Sequence, residues 1–331
     1  MAVLYTLPSQ ADDKIGIFET IHESSVSFLE TNEAIESAFA DSGLVLHGSH
    51  HVRVPEGAHQ AKVYVLTSPR YVQAAVSEAP RTISAQVLRI AVFTWGDEQQ
   101  TYVNMANPVA HAMVYYSQSP NYDDLIAAAQ GAAEEVRQLV SVVPGESVSR
   151  QMKPLRTEKH YRKYKGDGPA RMMAKFRTWK KSQLLIEEDT AENFDAVVDQ
   201  VVARIEAGEI SDETFPYGWE KLALIRVRDD AVYIGLTNPY IENRMVHINS
   251  QFRGKDKSDL APYPGVDHVA ALPTDVLIVK EADKTQVLHY GQMWRMQLYF
   301  WDSGYRAFTA NMNVPSKIAN SIEAALAAPE E

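Results

Sequence analysis

Alternating apolar and polar residues predict a β-hairpin near each end of the chain. The first spans residues 15–30 (IGIFETIHESSVSFLE) and the second spans residues 221–236 (KLALIRVRDDAVYIGL). In both, the side chains alternate with the period of two that a half-buried strand requires, and a short polar stretch marks the turn. We therefore expect two antiparallel strands at the start of each half of the chain.

Further elements follow each hairpin. Asn32 and Asn238 are expected to open helices, because an Asn side-chain oxygen accepts from a free backbone N–H of the first turn. Pro239 then takes the first helical position, where its missing N–H costs nothing. Strands are predicted at 45–54, 61–68, 86–95 and 100–106, then at 274–282, 285–291, 295–302 and 306–312, with a closing helix at 316–328.

The two halves are related by a repeat at an offset of 206 residues. Residues 26–39 align without gaps to residues 232–245, and residues 89–95 align to residues 295–301. Several ordered matches at one offset are much harder to obtain by chance than one short match. The repeat therefore predicts a tandem duplication.

The duplication defines the predicted domains. The first repeat covers residues 12–120, the connector covers 121–217, and the second repeat covers 218–328. The connector contains two amphipathic stretches that predict helices, 122–139 and 191–206. We expect an α+β fold of two tandem pseudo-repeated domains, each an antiparallel sheet with helices on one face, joined by a helical, basic connector.

Two charged residues recur in both halves at this offset. Arg89 and Arg295 each begin a buried-looking strand, and Glu36 and Glu242 lie one turn into the first helix of each half. An acid near a helix N-terminus is favoured by the helix dipole. For the arginines, the pattern favours a conformational role or an ion pair, with the repeated glutamates as candidate partners, over anion binding.

The first half resembles a small bacterial family, domain of unknown function 302. The stretches that carry the resemblance are TNEAIESAFADSGLVL, AKVYVLTSPRYVQAAV and LRIAVFTWGDEQQTYVNMANP. It implies a helix-grip, TBP-like α+β fold of about 95 residues per copy, with a weaker match in the second half. Members often carry a cysteine before the Arg of the last strand, whereas Val87 and Leu88 precede Arg89 in this chain.

Positive charge is concentrated in one segment of an acidic chain. The formal net charge is −11, yet residues 150–181 hold 12 of the 32 Lys and Arg and only two of the 43 acids, Glu158 and Asp167. An acidic body repels nucleic acid at long range, so only this basic segment could bind one.

Within this segment, residues 169–185 predict a basic amphipathic helix. Met172, Phe176 and Trp179 share a narrow arc, and cations cover the remainder. Such a helix binds an acidic protein partner or lies on an anionic surface. The candidate partner-binding residues are Arg162, Lys163, Lys165, Arg171, Lys175, Phe176, Arg177, Trp179, Lys180 and Lys181.

Two other interpretations of the basic segment stay open. It could be an internal strap, with its cations on the acidic domains of its own chain and its aromatic rings in the groove between them. Alternatively, Tyr161, Tyr164, Phe176 and Trp179 could stack with the bases of single-stranded nucleic acid while the cations follow the phosphates.

The densest histidine cluster is HGSHH, residues 47–51. On a strand, His47 and His51 share a face, and His59 could complete a metal or haem site. The alternative is an exposed strand end with solvated histidines, and the second half has no equivalent cluster. A small-ligand, metal or haem protein or enzyme using this sheet face is therefore the second hypothesis.

No recognisable catalytic motif occurs in the sequence. The chain has no cysteine, which excludes disulfides, thiolate metal sites and Cys nucleophiles. Nucleophile-elbow, Walker A and dinucleotide-binding patterns are absent. The chain has neither an 18-residue apolar run nor a secretory signal, so we expect a cytoplasmic protein. These features favour a non-catalytic binding or assembly protein over an enzyme.

Overall fold

The computed structural model describes residues 14–54, 59–95, 100–168, 179–189, 193–208, 218–245 and 265–327. Eleven strands lie within these residues. They are β1 (Phe18–Ser24), β2 (Val45–His51), β3 (Ala61–Thr67), β4 (Leu88–Trp95), β5 (Gln100–Ala106), β6 (Gly145–Gln151), β7 (Gln183–Asp189), β8 (Glu220–Arg228), β9 (Ala231–Thr237), β10 (Thr274–Glu281) and β11 (Lys284–Tyr290).

Helices follow most of the strands. They are α1 (Phe28–Ser42), α2 (Pro69–Ala74), α3 (Pro108–Tyr115), α4 (Tyr122–Val140), α5 (Glu158–Arg162), α6 (Phe194–Ala207), α7 (Gln292–Phe300), α8 (Gly304–Ala310) and α9 (Val314–Leu326). Residues 239–245 are also helical. Two 3-10 segments, Pro80–Gln86 and Gly265–Ala271, each precede a central strand.

The strands form two antiparallel sheets. The order of the first sheet is β2-β3-β4-β5-β1-β6, and that of the second is β8-β9-β10-β11-β7. Every neighbouring pair is antiparallel. The expected α+β fold with two antiparallel sheets and helices is therefore confirmed.

The two sheets match strand by strand. The order β2-β3-β4-β5-β1 corresponds to β8-β9-β10-β11-β7, and each series has a Pro-initiated helix after its second strand and a 3-10 segment before its third. We call these two units the first and second repeat. On this matching, β7 and α6 open the second repeat, as β1 and α1 open the first.

The predicted offset of 206 residues is wrong, because it aligns unlike elements. Residues 28–32 are helical, whereas their partners 234–238 are mainly strand β9. Residues 89–95 lie in β4, whereas residues 295–300 lie in α7. The Leu-Thr-x-Pro sequence that ends β3 and recurs at the end of β9 gives the matching register, 170 residues apart.

The connector contributes a strand to each sheet in addition to the predicted helices. Strand β6 pairs with β1, and β7 pairs with β11. The predicted helices at 122–139 and 191–206 correspond to α4 and α6. The domain ranges 12–120, 121–217 and 218–328 stay a prediction.

The first predicted hairpin is wrong, whereas the second is confirmed as β8 and β9. Residues 15–30 contain one strand, β1, and then the start of α1. A capping box begins this helix, since Glu30 N donates to Ser27 Oγ (3.3 Å) and Ser27 N donates to Glu30 Oε2 (3.0 Å). Asn32 therefore lies inside the helix, whereas Asn238 caps residues 239–245 and accepts from Ile241 N at 2.9 Å.

Three further predictions of secondary structure are wrong. Residues 295–302 and 306–312 were predicted as strands, but they lie mainly in α7 and α8. Helix α7 is buried nearly all round, so no polar face gives it a helical period. The predicted helix at 169–185 cannot extend to its end, because Gln183 begins β7; residues 169–178 lie outside the described residues.

The two repeats interlock through their 3-10 segments. Gly265–Ala271 of the second repeat packs on β3, β4 and β5 of the first, and Pro80–Gln86 packs on β9 and β10 of the second. Helix α1 packs against the first sheet, and Tyr64 of β3 donates from its hydroxyl to Asn32 Oδ1 of this helix (2.7 Å). With layers on both faces, β3 is buried along its whole length.

The sheets also meet along their edge strands, β2 and β8. A Cβ added at Gly48 would lie 2.1 Å from the carbonyl oxygen of Leu222, so only glycine permits this approach. Glu242 is fully buried beside β2. It accepts from His50 Nε2 (2.8 Å) and from the backbone N–H of Arg53 (2.7 Å).

Candidate functional site

The basic segment is anchored to the second repeat by Arg156. This buried arginine pairs with Asp167 (2.7 Å). It also donates to the carbonyl oxygens of Leu298 (3.2 Å) and Gln297 (3.3 Å) in the last turn of α7. Because the last carbonyls of a helix lack intrahelical donors, an arginine there satisfies them and the helix dipole together.

Described aromatic residues of the segment face inward. Tyr161 and Tyr164 are 0% and 2% exposed. Ring contacts of 6.0, 6.3 and 5.8 Å lead from Tyr164 to Trp294, Tyr115 and Trp179. In this conformation Tyr161 and Tyr164 cannot stack with nucleic-acid bases, and Tyr164 and Trp179 both contact one aromatic cluster.

Several cations of the segment remain exposed. Lys163, Lys165 and Lys180 are exposed and form no ion pair within the described residues. Arg162 is exposed too, but it pairs with Glu158 (3.4 Å) and its guanidinium lies 4.1 Å from the centre of the Tyr122 ring. Lys181 is exposed, while Arg171, Lys175, Phe176 and Arg177 lie outside the described residues. We call Lys163, Lys165 and Lys180 the connector cations.

The predicted histidine ligands have separate surroundings. His47 Nε2 lies 2.8 Å from Thr67 Oγ1, the ring of His51 lies against Phe28 at 6.3 Å, and His59 lies against Trp95 at 5.1 Å. Burial lowers the pKa of all three imidazoles. Across the described part of the chain, no three His, Asp or Glu side chains are arranged to hold a metal ion. The metal or haem site stays a prediction.

A buried polar centre, which the sequence did not indicate, lies between the repeats. Arg89 donates from Nη2 to the hydroxyl of Tyr299 (2.8 Å) and lies 2.8 Å from His111 Nε2. The same His111 nitrogen lies 2.8 Å from the Tyr299 hydroxyl. All three residues are at most 2% exposed. This triangle joins both repeats across their interface.

His111 is held neutral in this centre. Burial, and then the charge of Arg89, lower its pKa to about 3. Its Nδ1 faces the carbonyl oxygen of Asn107 at 2.8 Å, so Nδ1 carries the proton and donates. Nε2 is therefore free to accept from Arg89.

Arg295 is a second buried arginine beside the first. Both donate to the carbonyl oxygen of Ala271, at 3.3 Å from Arg89 and 2.8 Å from Arg295. Both guanidinium groups also lie over the Tyr299 ring, at 5.3 and 5.5 Å from its centre. Neither has a carboxylate within ion-pair distance among the described residues, so the suggested pairing with Glu36 or Glu242 is wrong.

Asp275 is a buried acid whose charge acts on Arg89. It accepts from the hydroxyl of Tyr233 (2.7 Å). Burial and then Asp275 raise the pKa of Tyr233, and Arg89 and Arg295 oppose that effect. The charge of Asp275 therefore partly offsets the buried charge of Arg89.

The centre has equivalent positions in the two repeats. Arg89 and Asp275 are the second residues of β4 and β10. His111 and Arg295 are the fourth residues of α3 and α7, and Tyr115 and Tyr299 are the eighth. The offset of 206 residues pairs Arg89 with Arg295, so it does not reveal that Arg89 is equivalent to Asp275 and His111 to Arg295. The relation follows instead from the matched order of strands and helices in the two repeats.

A second buried group lies at the same interface. His268 is held between Asp267 (2.8 Å) and Asp302 (3.0 Å). Burial lowers its pKa, but Asp302 and Asp267 outweigh burial and raise it to about 9. The backbone oxygen of Asp267 also accepts from Asn104 of the first repeat (2.9 Å). Because these groups are buried, they stabilise the interface and offer no open reaction site.

Comparison with known proteins gives little further information. No family model matches this chain, and no curated protein matches it. Among solved structures, it is similar to the crystal structure of an uncharacterized conserved protein DUF302 from Bacillus stearothermophilus. The identity is 13%, the alignment covers 38% of this chain and 98% of that chain, and the TM-score is 0.31. An identity and a TM-score this low do not establish a shared fold. The resemblance to family 302 therefore stays a prediction.

The helices of the structure are short or polar. Within the described ranges, every helix is too short or too polar to cross a bilayer. The cytoplasmic location expected from the sequence stays a prediction.

Proposed function

We propose that this chain is a non-catalytic binding or assembly protein, whose connector cations bind an acidic protein partner. The observation that supports this proposal is the orientation of the basic segment. Its aromatic rings Tyr161 and Tyr164 are buried, while Lys163, Lys165 and Lys180 stay exposed without an ion pair in the described part of the chain.

The inward rings favour a protein partner over the alternatives. Binding of single-stranded nucleic acid relies on exposed rings for base stacking. Binding to a bilayer surface relies on exposed apolar residues that enter the headgroup region. Trp179, which could serve either purpose, is partly buried and packs against Tyr115. Exposed cations alone are sufficient to bind a protein surface that is rich in carboxylates.

The charge of the remaining chain directs this contact. Outside residues 150–181 the chain carries 20 Lys and Arg against 41 Asp and Glu. An acidic partner is therefore repelled by both repeats and attracted only by the connector. Such an arrangement sets the orientation of a complex and makes its association rate depend on salt.

The experiment compares two charge-reversal variants with the same change in net charge. K163E/K165E/K180E removes the connector cations, and K14E/K280E/K317E changes three lysines elsewhere on the surface. Both are used as bait in nuclease-treated extract of the source cell at increasing salt. We expect an acidic protein to bind the wild type and the control, to dissociate as salt rises, and to be lost from the connector variant.

Other outcomes would contradict the proposal. Binding that survives in the connector variant makes the segment an internal strap. Capture that disappears with nuclease indicates nucleic acid. Flotation with anionic vesicles but not with neutral vesicles, abolished by the connector variant, would replace the protein partner with a lipid surface.

A further inference from the structure

The second repeat contains a largely apolar pocket. It lies between helical residues 239–245, α7, the start of α9 and the chain from Ala271 to Thr274. The pocket encloses about 50 Å³ of free space, and with its mouth the space outside atoms is about 490 Å³. A water molecule needs roughly 10–15 Å³ on the smaller measure, so the interior has room for a small organic group.

Most of the lining is apolar. Ile241, Met245, Leu272, Met296, Val314 and Ile318 contribute to the walls. The polar side chains that line it are those of Arg244, Thr274, Gln292 and Arg295. An apolar cavity with a few polar groups is the usual form of a small-molecule site.

Arg295 places a positive charge in the wall of this pocket. It is only 8% exposed. Its terminal nitrogens donate to neutral acceptors: Thr274 Oγ1 (3.1 Å), Gln292 Oε1 (3.4 Å), and the carbonyl oxygens of Ala271 (2.8 Å) and Pro273 (3.0 Å). Its Nε has no acceptor. A buried guanidinium without its own carboxylate favours an anion in the adjoining space.

Arg244 adds a second cation at the mouth. It is exposed, it lines the pocket, and its guanidinium lies 5.2 Å from the centre of the Tyr240 ring. It forms no ion pair with any described residue. Whereas the terminal nitrogens of Arg295 already have acceptors, those of Arg244 are available to a ligand in the pocket.

Two positions that line the pocket hold tyrosines in the first repeat. Tyr71, the third residue of α2, and Tyr116, immediately after α3, contact each other with ring centres 6.4 Å apart. Both are at most 1% exposed. The corresponding residues of the second repeat are Ile241 and Phe300, and both line the pocket. Ile241 is a smaller residue than Tyr71.

We propose that this pocket binds a small carboxylate with a short apolar tail. The tail lies among the apolar walls, and the carboxylate pairs with Arg244 in the field of Arg295. The apolar part supplies affinity through burial, and the two cations select the charge. This site is separate from the connector and does not depend on the connector's proposed partner.

Three probes separate the contributions to binding. Hexanoate has both the charge and the tail, 1-hexanol has only the tail, and acetate has the charge with almost no tail. Isothermal titration calorimetry of the full chain measures each. We expect hexanoate to bind at least about tenfold more tightly than either of the others, since one charge-assisted hydrogen bond corresponds to about that factor.

Two variants locate the site. I241Y places at this position the larger side chain of Tyr71, its equivalent in the first repeat, and we expect it to abolish hexanoate binding. R244Q changes an exposed side chain without affecting the core and should weaken hexanoate about tenfold while leaving 1-hexanol unchanged. R70Q, which changes an arginine that is 90% exposed on α2, is the matched control and should have no effect.

The proposal is overturned if 1-hexanol binds as tightly as hexanoate, if hexanoate does not bind, or if R244Q and R70Q behave alike. Should I241Y fail to fold, as judged by circular dichroism, the comparison of R244Q with R70Q still decides the question.

Discussion

At the scale of single residues, two buried histidines of the interface are held in opposite charge states. His268 lies between two carboxylates, and its pKa is raised to about 9. His111 lies beside Arg89, and its pKa is lowered to about 3. Near neutral pH, His268 is therefore charged and His111 is neutral. The same residue type thus serves as a cation in one network and as an acceptor in the other.

The raised pKa of His268 predicts a loss of stability at alkaline pH. Between pH 6.5 and about 9, the folded chain keeps a proton that the unfolded chain releases. The charged His268 therefore contributes fully to the free energy of unfolding below pH 6.5. This contribution, up to about 3 kcal/mol, is lost as pH rises through 9. Urea unfolding from pH 6 to 9.5 measures this change.

The matched variants for this experiment are H268Q and H59Q. H268Q should be less stable than the wild type at pH 6. Its free energy of unfolding should not decline between pH 6.5 and 9. H59Q changes a partly exposed imidazole that lies against Trp95 and should keep the decline. Identical pH profiles for H268Q and the wild type would show that His268 is not charged in the folded chain.

At the scale of elements, the contact between β2 and β8 depends on one glycine. A Cβ at Gly48 would lie 2.1 Å from the backbone oxygen of Leu222, and a carbonyl in a strand cannot move as a flexible side chain does. G48A should therefore separate the two edges and lower the free energy of unfolding by about 1–3 kcal/mol.

The control for Gly48 is Gly131, in the middle of α4. It is exposed, and an added Cβ would meet nothing within 4 Å. G131A should raise the free energy of unfolding by about 0.5–1 kcal/mol, because alanine favours a helix. Denaturant melts of both variants test the pair. Equal effects on stability would exclude a specific role for the edge contact.

The elements show how far the hydrophobic pattern predicts this fold. The hairpin at 221–236 was predicted correctly, since a polar turn joins the half-buried strand β8 to the fully buried strand β9. The sequence pattern predicts a strand where helix α7 lies. This helix is buried on nearly all sides, so its apolar residues do not recur with the helical period of 3.6. The capping box at Ser27 was overlooked within a stretch that alternates well.

The sites were harder to predict than the fold. The basic segment is visible in the sequence, but the inward direction of Tyr161 and Tyr164 is set by tertiary packing. The pocket of the second repeat depends on which side chains occupy equivalent positions. The matching register was needed to compare Ile241 with Tyr71, and the offset of 206 residues prevented that comparison.

At the scale of the whole molecule, interlocking makes each repeat depend on the other. The 3-10 segment of each covers the sheet of its neighbour. Residues 1–170 and 171–331, expressed together, should form a stable one-to-one complex, whereas each alone should aggregate. Size-exclusion chromatography distinguishes these results. A folded monomer of either fragment would contradict the dependence.

A second cut tests where the second repeat begins. Separation at 217/218, the predicted domain boundary, leaves β7 and α6 on the wrong fragment. Strand β7 pairs with β11, and α6 packs against α9. Co-expression of 1–217 with 218–331 should therefore yield less complex than the cut at 170/171. An equal or higher yield would support the boundary predicted from the sequence.

Covalent linkage of two similar units has a consequence for the charges that meet at their centre. In a dimer of identical subunits, equivalent positions carry the same residue, so an arginine near the axis must face another arginine. Here the equivalent positions hold Arg89 and Asp275, which attract each other, and His111 and Arg295, which differ in charge. One polypeptide can thus encode an asymmetric centre, with oppositely charged residues at one pair of equivalent positions and a neutral and a charged residue at another.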